Sequence, residues 1–128
     1  MDIGTFLLMQ SPSMRSSAEI FARGVEQAQA AETLGFRNTW LGEHHFSSYG
    51  YLSRPAQLAT YIAAKTTTLR VGTAVIVVPL HHPLRAAEDW SLADRPLGRI
   101  SVHSGAAHWL HLRRNSSASN STGLTGEF

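Results

Sequence analysis

Residues 69–78 read Leu-Arg-Val-Gly-Thr-Ala-Val-Ile-Val-Val, and residues 79–83, directly after them, read Pro-Leu-His-His-Pro. The first stretch is rich in β-branched residues and is apolar at both sets of alternating positions. This is typical of a strand covered on both faces of a parallel sheet. Shorter apolar runs at residues 3–9 and 36–41 precede it. We therefore predict three short parallel strands.

Helix signals lie between and after these strands. Ser16 and Glu19 form a capping-box pattern, because the serine hydroxyl accepts the Glu19 amide while the glutamate side chain reaches back. Gly35 suits the position after the last turn of this first helix, which favours a positive φ. Pro55 and Pro83 suit the first turns of the second and third helices, where a missing N–H costs nothing. The order βαβαβα predicts an α/β fold with right-handed crossovers.

The spacing of these units bears on the architecture. Three strand–helix units in residues 1–95 give about 32 residues per unit, close to the roughly 31 of a (β/α)8 barrel. A doubly wound sheet has a similar repeat. Residues 10–13, Gln-Ser-Pro-Ser, lack the Gly-rich turn that dinucleotide-binding folds place after the first strand.

Gly72 places a small residue inside the third strand. A glycine there indicates the close approach of another backbone or a ligand, or else tight packing inside a barrel. Spacing alone does not decide between these interpretations.

Composition excludes several classes of function. The 128 residues include no cysteine, which rules out structural disulfides and thiolate metal sites. No apolar run approaches the roughly 20 residues that span a bilayer, so we expect no membrane segment. Residues 1–3, Met-Asp-Ile, carry no basic leader, so we expect a cytoplasmic protein.

Charge is distributed unevenly along the chain. Residues 1–95 balance eight Lys and Arg against eight Asp and Glu, whereas residues 96–128 hold three Arg against one Glu. Three arginines in a Ser-rich segment form neither the basic stripe of a nucleic-acid-binding face nor a basic amphipathic helix. We therefore expect no nucleic-acid partner and no membrane partner.

Residues 96–128 differ in character from the rest of the chain. A proline and a glycine interrupt the third helix, and residues 100–112 show no consistent period. Residues 115–126 consist almost entirely of Ser, Asn, Thr, Gly and Ala, which bury too little apolar surface to offset the entropy of ordering. We predict a folded unit over residues 1–95 and a disordered tail over residues 96–128.

Histidines follow the second and third strands, where parallel α/β folds collect their catalytic groups. His44 and His45 come after the second strand. His81 and His82 come after the third, so two pairs of histidines would meet if these strands are neighbours. Imidazoles transfer protons or ligate metals near neutral pH. Histidines are also common in surface loops, and His82 can simply support the turn before Pro83.

A metal site is one interpretation of this pattern. Glu43 and one histidine from each pair would converge, because adjacent residues on an extended segment point to opposite faces. The end of the first strand supplies no ligand pair, so we assign no metal ligand and keep a metal-dependent hydrolase as an alternative. The absence of a Gly-x-Ser-x-Gly elbow and of cysteine disfavours a nucleophilic triad.

Residues 39–46 read Thr-Trp-Leu-Gly-Glu-His-His-Phe, and further segments accompany them at residues 4–8, 69–74, 79–85 and 87–95. In sequence and spacing these segments resemble the luciferase-like flavin-dependent monooxygenase family, and among its members the alkanal monooxygenase alpha-chain-like proteins. The resemblance covers residues 1–95, about three quarters of the chain.

This resemblance implies a partial (β/α)8 TIM barrel made of its first three βα units. It implies a monooxygenase that uses reduced FMN and O2 on a small organic substrate, with reduced deazaflavin as the alternative cofactor. His44 matches the family's acid/base histidine, and its catalytic neighbour His45 supports cofactor binding or geometry. Phe6 and the Ala74–Val75 peptide match positions against the flavin ring, and in some relatives that peptide is a non-proline cis bond. The second and third helices would form a family-type dimer.

The resemblance ends after residue 95. Residues 95–100 correspond only in part to the turn and fourth strand with which the family continues. A shift to the +1 reading frame near Pro96 would restore a family-like continuation, so we hypothesise a frameshifted, truncated and inactive chain. A +1 frame in the coding DNA that stops matching the family would contradict this. A non-enzymatic fragment that associates with full-length relatives is a further alternative.

Overall fold

Strands and helices alternate along the chain. The computed structural model describes residues 3–11, 15–46, 49–94 and 98–105, without the side chains of 102–105. The elements are β1 (Gly4–Leu7), α1 (Ser17–Thr33), β2 (Asn38–Leu41), α2 (Pro55–Lys65), β3 (Arg70–Val77), a 3-10 turn (Val78–Leu80), α3 (Pro83–Asp94) and β4 (Ile100–Gly105). The first three strands confirm the predicted ones, and their ends lie within two residues of the predicted limits.

The four strands form one parallel sheet in the order β1-β2-β3-β4. Phe6 is level with Trp40, and Trp40 is level with Gly72. Because side chains alternate along a strand, these three residues share one face of the sheet. Leu7 and Leu41 lie on the other face, in the core formed with the helices. The parallel α/β architecture is therefore confirmed.

The fourth strand lies in the segment for which we expected no regular structure. Residues 100–105 pair in parallel with β3, and Ile100 packs against the core. The open edge of β3 presents backbone N–H and C=O groups that a further strand can pair with. Pairing of this kind depends on the tertiary fold, so it leaves no hydrophobic periodicity in the sequence of residues 100–105. The rest of the predicted disordered tail, residues 96–97 and 106–128, lies outside the described residues. The frameshift stays a prediction.

Arg99 fixes the approach to β4. Its guanidinium donates hydrogen bonds to the carbonyl oxygens of Ala63 at 2.9 Å, Thr66 at 3.2 Å and Leu69 at 3.4 Å. The first two carbonyls belong to the end of α2, where a helix leaves acceptors unpaired and favours positive charge. One side chain thus joins the end of α2 to the starts of β3 and β4.

The predicted helix ends are confirmed. The Ser16 hydroxyl accepts from the Glu19 amide at 3.3 Å, and the Glu19 carboxylate accepts from the Ser16 amide at 3.0 Å. Gly35 has a φ of 84°, as a helix-terminating glycine requires. Pro55 and Pro83 begin α2 and α3. No helix in the described part of the chain has the length and apolar character needed to cross a membrane.

The contact between Gly72 and Trp40 answers the question left open by the sequence. A Cβ atom at Gly72 would overlap Cζ3 of the Trp40 ring, so the position has no room for a side chain. The indole of β2 therefore lies directly over the backbone of β3. Tight packing of the Trp40 ring against β3 is sufficient to account for this glycine.

Glu32 joins α1 to the start of β3. One carboxylate oxygen, Oε1, accepts from the amides of Thr67 at 2.9 Å, Thr68 at 2.6 Å and Leu69 at 2.8 Å. Burial raises the pKa of Glu32, but the hydrogen bonds from these amides outweigh burial and lower the pKa from 4.5 to about 2. The ionised form therefore stabilises the fold.

We expect Glu32→Gln to reduce the free energy of unfolding at pH 7 by about 1–3 kcal/mol, because neutral acceptors bond amides more weakly than a carboxylate. The folded-state pKa lies below the unfolded-state value. The contribution is therefore complete above the unfolded pKa of 4.5 and is lost as pH falls through about 2. Urea unfolding at pH 7, 4, 3 and 2 measures this.

The matched control is Glu26→Gln, an exposed position on the same helix. Its unfolding free energy should follow that of the unmodified chain at every pH. A difference between Glu32→Gln and the unmodified chain that persists undiminished at pH 2 would contradict the carboxylate's role.

Candidate functional site

The polar segments that follow β2 and β3 meet at one edge of the sheet. β2 and β3 are direct neighbours, with Leu41 level with Thr73, so the carboxyl ends of both strands lie side by side. This confirms the predicted proximity of the two histidine-containing segments. Glu43 and His81 are in direct contact across the gap.

Glu43 is the centre of this edge. Its carboxylate has no solvent-exposed surface, and Oε1 lies 2.6 Å from Nε2 of His45 and 2.8 Å from Nε2 of His81. The other oxygen, Oε2, accepts the backbone amide of Val77 at 3.0 Å. Both oxygens of this buried group are therefore hydrogen-bonded, as burial of a polar group requires.

The hydrogen-bonding roles of the two imidazoles follow from their partners. An ionised carboxylate only accepts hydrogen bonds, so His45 and His81 each donate from Nε2 to Glu43. The Nδ1 atom of His81 lies 3.4 Å from Nη1 of Arg54, which only donates. The His81 ring is therefore held between an acceptor at Nε2 and a donor at Nδ1.

His44 lies on the opposite side from His45, as the alternation of an extended segment predicts. Its backbone amide donates to the carbonyl of Leu52 at 2.8 Å. Its ring meets the Tyr49 ring edge-on, with centroids 5.2 Å apart. A Cβ atom at Gly50 would lie 2.5 Å from Cδ2 of the imidazole, so the Gly50 backbone packs directly against the ring. These contacts fix the position of the imidazole.

Phe6 lies beside this imidazole. A Cβ atom at Gly42 would lie 3.2 Å from Nε2 of His44 and 3.3 Å from Cζ of Phe6, so the two rings flank Gly42. The Phe6 side chain is 47% exposed although it is aromatic. The structure therefore brings together two of the residues matched by the resemblance and leaves the Phe6 ring partly exposed.

Ala74 and Val75 lie in β3, two strands from Phe6. The peptide between them is cis, a form that the resemblance implied for some relatives, and the pairing with β4 shifts register between Ala74 and Ile76. Ala74 follows Gly72 by two residues and so shares the sheet face of Phe6. Val75 is 38% exposed. Phe6 is level with Gly72, so Ala74 lies two strands across and two residues along from Phe6, a separation of about 12 Å.

An open cavity of about 640 Å³ adjoins both histidines of the segment that follows β2. His44 and His45 line it together with Tyr51, Arg54 and Leu80. It thus connects the imidazole beside Phe6 with the hydrogen-bonded cluster around Glu43.

Sequence reasoning missed Arg54, Gly50 and the Val77 amide as parts of this edge. Arg54 precedes a helix, and Gly50 lies in a polar loop, so neither belongs to a motif. The amide of Val77 is a backbone group, which no residue type could reveal. The pairing of β2 with β3 brings the Val77 amide to Glu43 and His81 to Arg54, whereas Gly50 reaches His44 within the loop after β2.

The comparisons with known proteins agree with this geometry. The family model "Luciferase-like monooxygenase" matches residues 1–111. The alkanal monooxygenase alpha chain of Photorhabdus laumondii subsp. laumondii is 42% identical over 95 residues, which are 74% of this chain and 26% of that protein. The chain thus spans about a quarter of the length of this relative.

Two solved structures extend the likeness to the fold. Monooxygenase RslO1 from Streptomyces bottropensis superposes with a TM-score of 0.76 at 30% identity, over 82% of this chain and 33% of that one. The oxygenating constituent of 3,6-diketocamphane monooxygenase from Pseudomonas putida, a type II Baeyer-Villiger monooxygenase in complex with FMN, gives 0.82 at 20% identity, over 98% of this chain and 35% of that one. The second likeness concerns the fold alone.

These neighbours are luciferase-like TIM-barrel monooxygenases, which confirms the predicted partial barrel. The family match also continues beyond residue 95, where the resemblance seen in the sequence ended. Since the match covers most of the chain, the chain belongs to the luciferase-like monooxygenase family.

Proposed function

We propose that the protein containing this sequence is a flavin-dependent monooxygenase that uses reduced FMN and O2 to oxygenate a small organic substrate. The observation that carries this proposal is the pairing of His44 with Phe6 around Gly42, on the sheet face that also presents the Ala74–Val75 peptide. Family membership favours this chemistry over a metal-dependent hydrolase. Reduced deazaflavin remains the alternative cofactor.

His44 is proposed to hold and transfer the proton that the oxygenation requires. An imidazole is suited to this because it accepts and donates protons near neutral pH. Its position is fixed by Tyr49, Gly50 and the Leu52 carbonyl, so the ring does not need to be ordered during the reaction. Bound reduced flavin would supply the oxygen chemistry, and the protein supplies orientation and proton transfer.

Phe6 and Val75 are proposed to contact the flavin ring. Both are apolar and remain partly exposed, at 47% and 38%. An apolar surface of this kind is the usual lining of a cofactor site, where it excludes water and holds a planar ring. His45 contributes indirectly, because its hydrogen bond to Glu43 fixes the backbone next to His44.

A dimer through the second and third helices is also proposed. A groove of about 510 Å³ runs between α2 and α3, with Leu92 and Trp90 among its lining residues. Leu92 is 73% exposed in the single chain. Covering this leucine would remove apolar surface from water, which is the usual source of dimer stability.

The test of the proposed function replaces residues 1–95 of a full-length alkanal monooxygenase alpha chain with residues 1–95 of this chain. We expect the chimera to retain flavin-dependent oxygenation. His44→Ala in the chimera should lower kcat by about 100-fold or more, because a positioned acid/base contributes that much. Glu26→Gln, exposed on α1, serves as the control and should leave kcat unchanged. A chimera that folds and binds flavin but oxygenates nothing would overturn the proposal.

We expect Gly50→Ala to lower kcat of the same chimera by about 10- to 100-fold, because the added methyl group displaces the His44 imidazole from its position. Thermal unfolding is measured alongside, so that a loss of kcat in a folded chimera is separated from a loss of stability caused by the added methyl group. Ser53→Ala, which removes an atom from the same cavity wall instead of adding one, is the control and should stay within about twofold. Equal activity of Gly50→Ala and the unmodified chimera would contradict the proposed role of the His44 position.

The 128-residue chain alone is expected to bind FMN with a Kd above about 1 mM. The Phe6 and Val75 side chains are 47% and 38% exposed to water in the described part of the chain, whereas a cofactor site encloses most of its ligand. Titration followed by flavin fluorescence measures this. A stoichiometric complex of micromolar affinity would contradict the expectation.

A further inference from the structure

We propose that Glu43, His45 and His81 form a binding site for a divalent first-row transition-metal ion, for which Zn²⁺ is the best match. One ligand atom from each of the three residues lies within 4.8 Å of the other two. The site is separate from the His44–Phe6 pair, and the proposal does not depend on the monooxygenase function.

The three ligands come from two segments that the fold holds rigidly. Glu43 and His45 are two residues apart after β2 and therefore lie on the same side of an extended segment. His81 follows the 3-10 turn after β3, where its backbone amide donates to the carbonyl of Val78 at 3.0 Å. Parallel pairing of β2 with β3 fixes the distance between the two segments. The ligands are thus assembled before any ion arrives.

The donor set selects the class of ion. Two imidazole nitrogens and one carboxylate oxygen are a frequent Zn²⁺ set, and they leave a fourth position for water. Mg²⁺ and Ca²⁺ prefer oxygen ligands and a higher coordination number, which two imidazoles do not supply. Cu²⁺ and Ni²⁺ share the preference for imidazole, so the shared chemistry is that of borderline transition-metal ions.

The three ligand atoms lie within 4.8 Å of one another, and they would have to adjust their separations to accept the ion. The present Oε1···Nε2 distances of 2.6 and 2.8 Å are hydrogen bonds. Ligand bonds of about 2.0–2.2 Å in a tetrahedral site separate the ligand atoms by about 3.3 Å. Each imidazole would therefore move outward by about half an ångström, and its proton would move from Nε2 to Nδ1.

The surroundings of Glu43 already provide support for a ligand carboxylate. The Val77 amide binds Oε2, which holds the carboxylate plane and leaves Oε1 directed at both imidazoles. The Glu43 side chain is fully buried, whereas the His45 side chain is 15% exposed and lines the 640 Å³ cavity. An ion can therefore reach the ligands from solvent through that cavity.

Arg54, as placed in the structure, would lower the affinity of this site for the ion. Its Nη1 donates to Nδ1 of His81 at 3.4 Å, but metal-bound His81 carries its proton on Nδ1 and needs an acceptor there. The guanidinium would also face the positive charge of the ion. Replacing Arg54 with a residue that accepts a hydrogen bond should therefore strengthen binding.

The experiment titrates the full chain, freed of metal with EDTA, with ZnCl₂ in a calorimeter. His103, His108 and His111 are replaced by Gln throughout, so that they contribute no ligand. We expect one Zn²⁺ per chain with a Kd of about 10 μM or tighter, and a rise in Tm with added Zn²⁺ because the ion joins the two segments. MgCl₂ at the same concentration should leave Tm unchanged.

Two variants identify the ligands. His81→Ala should weaken Zn²⁺ binding by about tenfold or more. His82→Ala, an exposed histidine next to it, is the matched control and should stay within about twofold. Absence of Zn²⁺ binding, or equal losses in the two variants, would overturn the proposal.

Arg54→Gln tests the same site without removing a ligand, which keeps the proposal falsifiable if His81→Ala fails to fold. Its side-chain oxygen can accept from Nδ1 of His81, so we expect binding to strengthen by about threefold or more. Unchanged or weaker Zn²⁺ binding in Arg54→Gln would count against the site.

Discussion

The direct parallel pairing of β2 with β3 is the constraint on which the rest of the structure depends. Two strands that run in the same direction must end at the same edge, so the segments after Leu41 and Val77 are forced together. A crossover through α2 separates them in the chain, and nothing local would otherwise bring Glu43 to His81. The contacts of the Glu43 cluster follow from this one register.

A buried carboxylate then becomes tolerable because three donors meet it. Burying an isolated charge costs a large desolvation free energy. Removing one of its hydrogen-bonding partners leaves the buried charge uncompensated and destabilises the fold. His45, His81 and the Val77 amide surround Glu43 in the described structure. The edge is therefore rigid for an electrostatic reason, while the neighbouring His44 is held by packing against Gly50 and Tyr49.

The features that the sequence predicts correctly are those that depend on residues close together in the chain. The capping box at Ser16, the glycine at 35 and the prolines at 55 and 83 act within one turn of a helix, and all four signals are found in the structure. The adjacency of the two histidine segments follows from the strand order. The fourth strand could not be predicted in this way, because residues 100–105 form a strand only by pairing with the open edge of β3. Arg54 likewise becomes part of the site only through the tertiary fold.

The alternation of His44 and His45 has a consequence for how this segment can vary. The two rings are adjacent in the chain but belong to separate environments, one beside Phe6 and one beside Glu43. Inserting or deleting a single residue after Leu41 would exchange the two sides and place Glu43 among the apolar rings. A substitution can therefore change one of these environments without the other. A change in length would disrupt both. We expect the segment to keep a fixed length even where its side chains differ.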